Sequence, residues 1–136
     1  MPVSIPRNPP RRYTTSKQLI GGDDFNNVND RACSFMQLIP TGGTQAAAAQ
    51  VNAANVEIPA GSAAGGVLLP TSYPGAEVSI LNNSGNTTTV YGTGADVVQT
   101  TGTTYAAAAT GVPLVTLTSA LYLCIKTGFW QRATTA

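Results

Sequence analysis

The sequence has no histidine and few charged residues, and these absences remove most of the side chains on which enzymes depend. Charged residues make up 10% of the 136 positions, against roughly 25% in an ordinary soluble domain. Histidine is the commonest general base and the commonest metal ligand. The only adjacent acids, Asp23 and Asp24, follow a Gly-Gly pair in a turn-like segment. We therefore predict that the protein is not an enzyme.

Cysteine is also scarce. The two cysteines, Cys33 and Cys124, are too few for a disulfide framework or a structural zinc site. Each lies in an apolar run, which favours buried free thiols over a bridge between them. The Gly-Gly-Thr at 42–44 lacks the lysine of a phosphate-binding loop. We expect no catalytic residue, no cofactor and no metal.

Long apolar runs are missing as well. No segment approaches the ~20 apolar residues of a membrane-spanning helix. The first residues, Met-Pro-Val-Ser-Ile-Pro-Arg, contain no apolar core of a signal peptide. We expect synthesis in a reducing cytoplasm and no membrane association.

Proline and positive charge are concentrated at the N-terminus. Four prolines in the first ten residues favour extended backbone and exclude helix. The basic residues of this segment have no acidic neighbours before Asp23; they are Arg7, Arg11, Arg12 and Lys17, with Tyr13 among them. We predict an extended basic arm at 1–31 and a nearly uncharged body at 32–136.

The arm has three possible roles. It could bind nucleic acid through phosphates, but four cations spread over eleven residues are few for that purpose. Arginine forks could instead bridge carboxylates of a protein partner, where bidentate geometry fixes orientation. The third possibility is a solvated tail. We favour the protein partner, with Arg7, Arg11, Arg12, Tyr13 and Lys17 as contact residues, and we do not expect nucleic acid binding.

The body consists of short β-branched segments separated by Gly, Pro and Asn clusters. In residues 77–81, Val78 and Ile80 share one face of an alternating strand. Residues 82–86 have turn chemistry and 87–91 form a second strand-like run, which together predict a hairpin. Residues 120–126 and 128–132 predict another. The one helix candidate is 46–49, with Thr44 as its cap. Strands are predicted at 33–39, 54–59, 66–70, 76–82, 87–92, 96–100, 112–118, 120–126 and 128–132.

So many short strands without intervening helices favour an all-β fold. We expect antiparallel pairing in a β-sandwich or jelly-roll-like domain, or a small barrel. Phe129 and Trp130 are adjacent on a predicted strand and must point to opposite faces. One of them should enter the core, and the other is a candidate anchor for a partner.

Parts of the body resemble a β-rich module of tailed-phage virion proteins. The similar runs are Gly-Val-Leu-Leu-Pro at 66–70, Pro-Gly-Ala-Glu-Val-Ser-Ile-Leu-Asn at 74–82, Val-Tyr-Gly at 90–92 and Phe-Trp at 129–130. The resemblance covers residues 66–132. It implies a structural protein of the virion, since such modules occur in head decoration (cement) proteins, head fibres and tail-associated proteins. Decoration proteins act as dimers or trimers, so the resemblance also implies a homo-oligomer.

The arm and the compact body favour a decoration protein on the capsid exterior, bound to the major capsid protein. Three alternatives stay open. The chain could be a receptor- or glycan-binding module of a head fibre or tail, or a shell-forming coat protein whose arm faces the genome. It could also be an unusual soluble domain with a sparsely charged surface.

Overall fold

The computed structural model describes residues 34–135, which form β-strands and a single short 3₁₀ turn at Gln45–Ala47. This confirms the β-rich class. Each of the nine predicted strands overlaps an observed one; β2 and β8 were not predicted. The strands are β1 (Phe35–Gln37), β2 (Ala49–Gln50), β3 (Asn55–Ile58), β4 (Gly65–Leu68), β5 (Glu77–Asn82), β6 (Thr88–Tyr91), β7 (Val97–Thr101), β8 (Thr104–Ala106), β9 (Val112–Leu114), β10 (Thr118–Lys126) and β11 (Phe129–Thr135).

The strands form two sheets. The seven-stranded sheet has the order β1-β3-β5-β10-β11-β7-β8, and the four-stranded sheet has the order β2-β4-β6-β9. From β1 to β6 the chain alternates between the two sheets. In each sheet these strands pair in parallel, β1 with β3 and β3 with β5, and β2 with β4 and β4 with β6. The first half of the body is therefore wound as a coil.

The expectation of purely antiparallel pairing is wrong. Parallel neighbours need a long crossover, which in most proteins is a helix, and its absence favoured antiparallel strands. Here a strand of the opposite sheet provides the crossover. Among the named strands, antiparallel pairing occurs in the β5–β10–β11 group and in the β6–β9 and β7–β8 pairs.

The first predicted hairpin is also wrong, whereas the second is confirmed. β5 and β6 lie in different sheets, so the link between them is an arch and not a hairpin turn. Asn82 fixes the arch from inside the core, where it is fully buried. Its amide nitrogen donates to the carbonyls of Asn86 and Leu114, and its Oδ1 accepts from the backbone and hydroxyl of Ser84. β10 and β11 do form an antiparallel hairpin, with a bulge after Cys124.

One hydrophobic core lies between the sheets and takes side chains from both. The β10–β11 hairpin supplies its largest members, Tyr122 and Trp130, which are fully buried. Arg132 closes the core at one end, because its guanidinium donates to the carbonyl of Pro113 in one sheet and of Thr100 in the other. The remaining core consists mainly of aliphatic residues: Val51, Val56, Ile58, Val67, Leu69, Val78, Ile80, Val90, Val98, Val112 and Leu114.

The predicted helix at 46–49 is reduced to the 3₁₀ turn at Gln45–Ala47. Thr44 occupies the N-cap position but makes no side-chain capping bond. No residue of the turn is buried. Since helices in proteins depend largely on packing an apolar face, alanine propensity alone does not extend the turn.

Leu117 has an unfavourable backbone conformation. Its φ of 60° makes it the one non-glycine residue with positive φ in residues 34–135, and it is 68% exposed. The left-handed region costs an L-residue roughly 1–2 kcal/mol, a cost that glycine avoids. The more flexible unfolded chain of a glycine variant offsets part of this gain in stability. We expect Leu117→Gly to raise the free energy of unfolding by about 0.5–1 kcal/mol in urea titrations. Leu117→Ala, which retains the Cβ, is the control and should give no such gain.

Candidate interaction surface

The outer face of the seven-stranded sheet carries an apolar row along its central strand. Alternation along β10 turns Tyr122 and Cys124 into the core. It therefore turns Leu121, Leu123 and Ile125 outward, and Leu121 and Ile125 are 41% and 43% exposed. Exposed aliphatic side chains in a continuous row are typical of interaction sites. We call this side of the sheet the outer sheet face.

The side chains that flank this row are neutral except for Glu77. In register, Leu121 lies between Ser79 of β5 and Ala133 of β11. Leu123 lies between Glu77 of β5 and Gln131 of β11. Ser119 lies beside Leu81, which is itself 43% exposed. Burial of the neutral side chains does not require desolvation of a charge, so Glu77 is the one neighbour of the row that is costly to cover.

The charged groups of the outer sheet face are divided between its two sides. Glu57 of β3 and Glu77 of β5 lie on one side of β10. Glu57 accepts from the amides of Gln37 and Asn83. On the other side, the Lys126 ammonium lies 4.0 Å from the centre of the Phe129 ring, to which it turns from the end of β10. The face is therefore acidic toward β3 and basic toward β11.

Of the predicted aromatic pair, Phe129 and Trp130, one member enters the core and the other lies at the surface, as expected. Trp130 is fully buried in the core, so a contact of Trp130 with a partner is inconsistent with the folded body. Phe129 is half-buried, and its ring packs edge-on against Tyr105 of β8 at 5.3 Å between centroids. Phe129 is therefore the member of the pair that is available at the surface.

The four-stranded sheet differs because the chain covers part of its outer face. Tyr91, at the end of β6, is only 4% exposed although Val90 beside it points into the core. Its hydroxyl donates to the carbonyl of Gly43. Gln45 reaches across to the carbonyls of Gly92 and Gly94. The segment 41–48 thus lies over this sheet.

Titratable groups in the interior do not form a reactive site. Burial raises the pKa of Tyr122, and burial together with the nearby Asp96 carboxylate raises the pKa of the Cys124 thiol. A raised pKa keeps the thiol protonated and unreactive. Cys124 is buried and free, as predicted. Within residues 34–135, His, Cys, Asp and Glu form no group of three that could hold a metal ion.

Several predicted residues lie outside the described part of the chain. These are the arm at 1–31, with Arg7, Arg11, Arg12, Tyr13 and Lys17, and also Cys33. In the described part, no helix has the length and apolar character needed to cross a membrane.

Comparison with protein-family models, curated proteins and solved structures finds no match to this chain. The function is therefore inferred from the surface itself.

Sequence reasoning identified the alternation of β10 but not its significance. Both faces of this strand are apolar, so the pattern does not specify which face enters the core. The useful signal was in the neighbouring strands, where Ser79, Ala133 and Gln131 mark the outer side by their polarity or small size.

Proposed function

We propose that this protein is a non-catalytic assembly protein that decorates the outside of a phage capsid and stabilises the lattice of the major capsid protein. The observation that carries the proposal is the outer sheet face. An apolar row crosses the middle of a seven-stranded sheet, and its flanking residues are neutral except for Glu77. No part of residues 34–135 covers it as 41–48 covers the other sheet.

The charge distribution supports an assembly role. The five charged residues of the body between 34 and 135 are Glu57, Glu77, Asp96, Lys126 and Arg132. Arg132 binds two carbonyls, and Asp96 accepts from the backbone of Ser72, so both are used within the fold. A body with so few free charges is suited to close contact with other proteins, where unpaired charges are costly to bury.

The arm supplies the contact with the shell in this proposal. Four of its five cations precede any acid in the sequence, and its arginines are suited to carboxylates on a protein surface. Several weak contacts from one oligomer combine by avidity, which does not require any single arm to bind tightly. Such binding adds buried interface to a shell under pressure from packaged DNA.

Deletion of residues 1–17 tests this role. We expect the truncated protein to retain its β-rich circular dichroism spectrum and to lose co-sedimentation with empty heads of the phage that encodes it. A second variant isolates the contribution of the charges: it replaces Arg7, Arg11, Arg12 and Lys17 by alanine and keeps the prolines and the length of the arm. It should weaken binding about tenfold or more, since each charge-assisted contact contributes roughly 1.5–3 kcal/mol. Unchanged co-sedimentation of both variants would contradict the proposal.

A further inference from the structure

We infer that the outer sheet face is a two-fold interface with a second copy of this chain, with the axis running along β10. The inference deepens the proposed assembly role by naming the partner of the body, and it rests on that role. Its test uses the purified protein alone, so failure of self-association and failure of capsid binding are distinguishable.

The position of the apolar row supports a two-fold contact. β10 is the fourth strand of seven, so Leu121, Leu123 and Ile125 lie at the centre of the sheet and Leu81 lies beside them. In a face-to-face pair related by an axis along β10, each copy's row meets the same row of the other copy. A self-complementary centre of this kind is what an isologous interface requires.

The charges support the same axis. Rotation about β10 exchanges the two sides of the face, so each copy's β5 lies over its partner's β11. Glu77 of one copy then lies over the side that carries Gln131, toward which Lys126 turns. Each acidic side therefore meets a neutral or basic side and not another acidic one, which avoids the large cost of like-charge contact.

The area of the outer sheet face is sufficient for a dimer of standard size at its lower limit. Strands lie about 4.8 Å apart and rise about 3.3 Å per residue, so the seven strands present a face of roughly 600 Å² per copy. Two such faces together bury roughly 1,200 Å², the lower limit of a standard specific interface. The edge-on pair of Tyr105 and Phe129 extends the apolar surface toward β8.

Sedimentation velocity of the full chain over a concentration series tests the inference. We expect a dimer. Leu121→Glu should raise its dissociation constant about tenfold or more, because two carboxylates would meet at the axis. The control is Val115→Glu, which makes the same change at a residue that is 53% exposed but follows β9 of the other sheet; it should leave the dimer unchanged. Thermal unfolding verifies that both variants are folded.

Charge exchange tests the axis itself. Leu121→Arg alone should weaken the dimer as Leu121→Glu does. An equimolar mixture of the two variants should restore dimerisation, because position 121 of one copy faces position 121 of the other at the axis, so that glutamate then meets arginine. A wild-type monomer, a trimer, a dimer insensitive to Leu121→Glu, or a mixture that stays monomeric would overturn the inference. A monomer whose β10 side chains are nevertheless protected from solvent would show that another part of the same chain occupies the face, and would overturn it too.

Discussion

Replacement of Asn82 by aspartate is expected to destabilise the fold by about 3–5 kcal/mol at neutral pH, as when a buried charge is left without its partner. The two residues have the same shape, but the amide nitrogen of Asn82 donates to two carbonyl oxygens, those of Asn86 and Leu114, at 2.8 and 2.9 Å. A carboxylate oxygen at this position would face both carbonyls and could donate to neither. The substitution therefore acts on the link that carries the chain from one sheet to the other.

The effect of Asn82→Asp should depend on pH with a definite sign. Burial and the facing carbonyls would raise the folded-state pKa of the introduced carboxyl group above the unfolded value of about 3.9. Stability is then greatest below the unfolded pKa and is lost as the pH rises through the folded pKa. Urea titrations at several pH values would measure this.

Asn83→Asp is the matched control for this experiment. Asn83 is the neighbouring residue, is exposed, and donates to Glu57 at 3.3 Å. The same change should cost it no more than about 1 kcal/mol, as for an exposed polar contact. Equal effects at positions 82 and 83 would mean that Asn82 does not hold the arch.

Gly111→Ala is expected to cost about 3 kcal/mol. The residue has a φ of 64°, and a Cβ placed there would lie 2.7 Å from Thr89 Cγ2 and 2.7 Å from Tyr91 Cδ1. The backbone conformation and the overpacking each contribute roughly 1–3 kcal/mol. Because the Tyr91 hydroxyl is bonded to the carbonyl of Gly43, the ring is not free to move away.

Gly102→Ala separates these two contributions. Gly102 also has a positive φ, 54°, but a Cβ there would meet no atom within 4 Å. We expect a loss of about 1 kcal/mol from backbone strain alone. An equal loss of stability for both alanine variants in chemical denaturation would contradict the described packing of Tyr91 beneath segment 41–48.

The sequence predicts individual strands better than their partners. In β5, Val78 and Ile80 share the buried face, and the strand is found where this spacing predicts it. The same spacing fits a hairpin and an arch equally well, since in both cases one face of the strand is buried. The buried amide of Asn82, which decides for the arch, is indistinguishable in the sequence from an ordinary turn asparagine.

The candidate surface was less predictable for a similar reason. Tyr122 and Cys124 point inward because they lie opposite Arg132 and Trp130 on the core side of the β10–β11 hairpin. The more hydrophobic set, Leu121, Leu123 and Ile125, is therefore left outside. A hydropathy pattern favours the opposite orientation, and this conflict is the reason that the outer sheet face is the candidate interaction surface.

Oxidative side-chain footprinting of the full chain across a dilution series tests the role of the outer sheet face most directly. We expect Leu121, Leu123 and Ile125 to become protected from hydroxyl radicals as the protein concentration rises, while Val115 stays equally reactive throughout. Equal oxidation of the three β10 residues at every concentration, or protection that extends equally to Val115, would contradict this role.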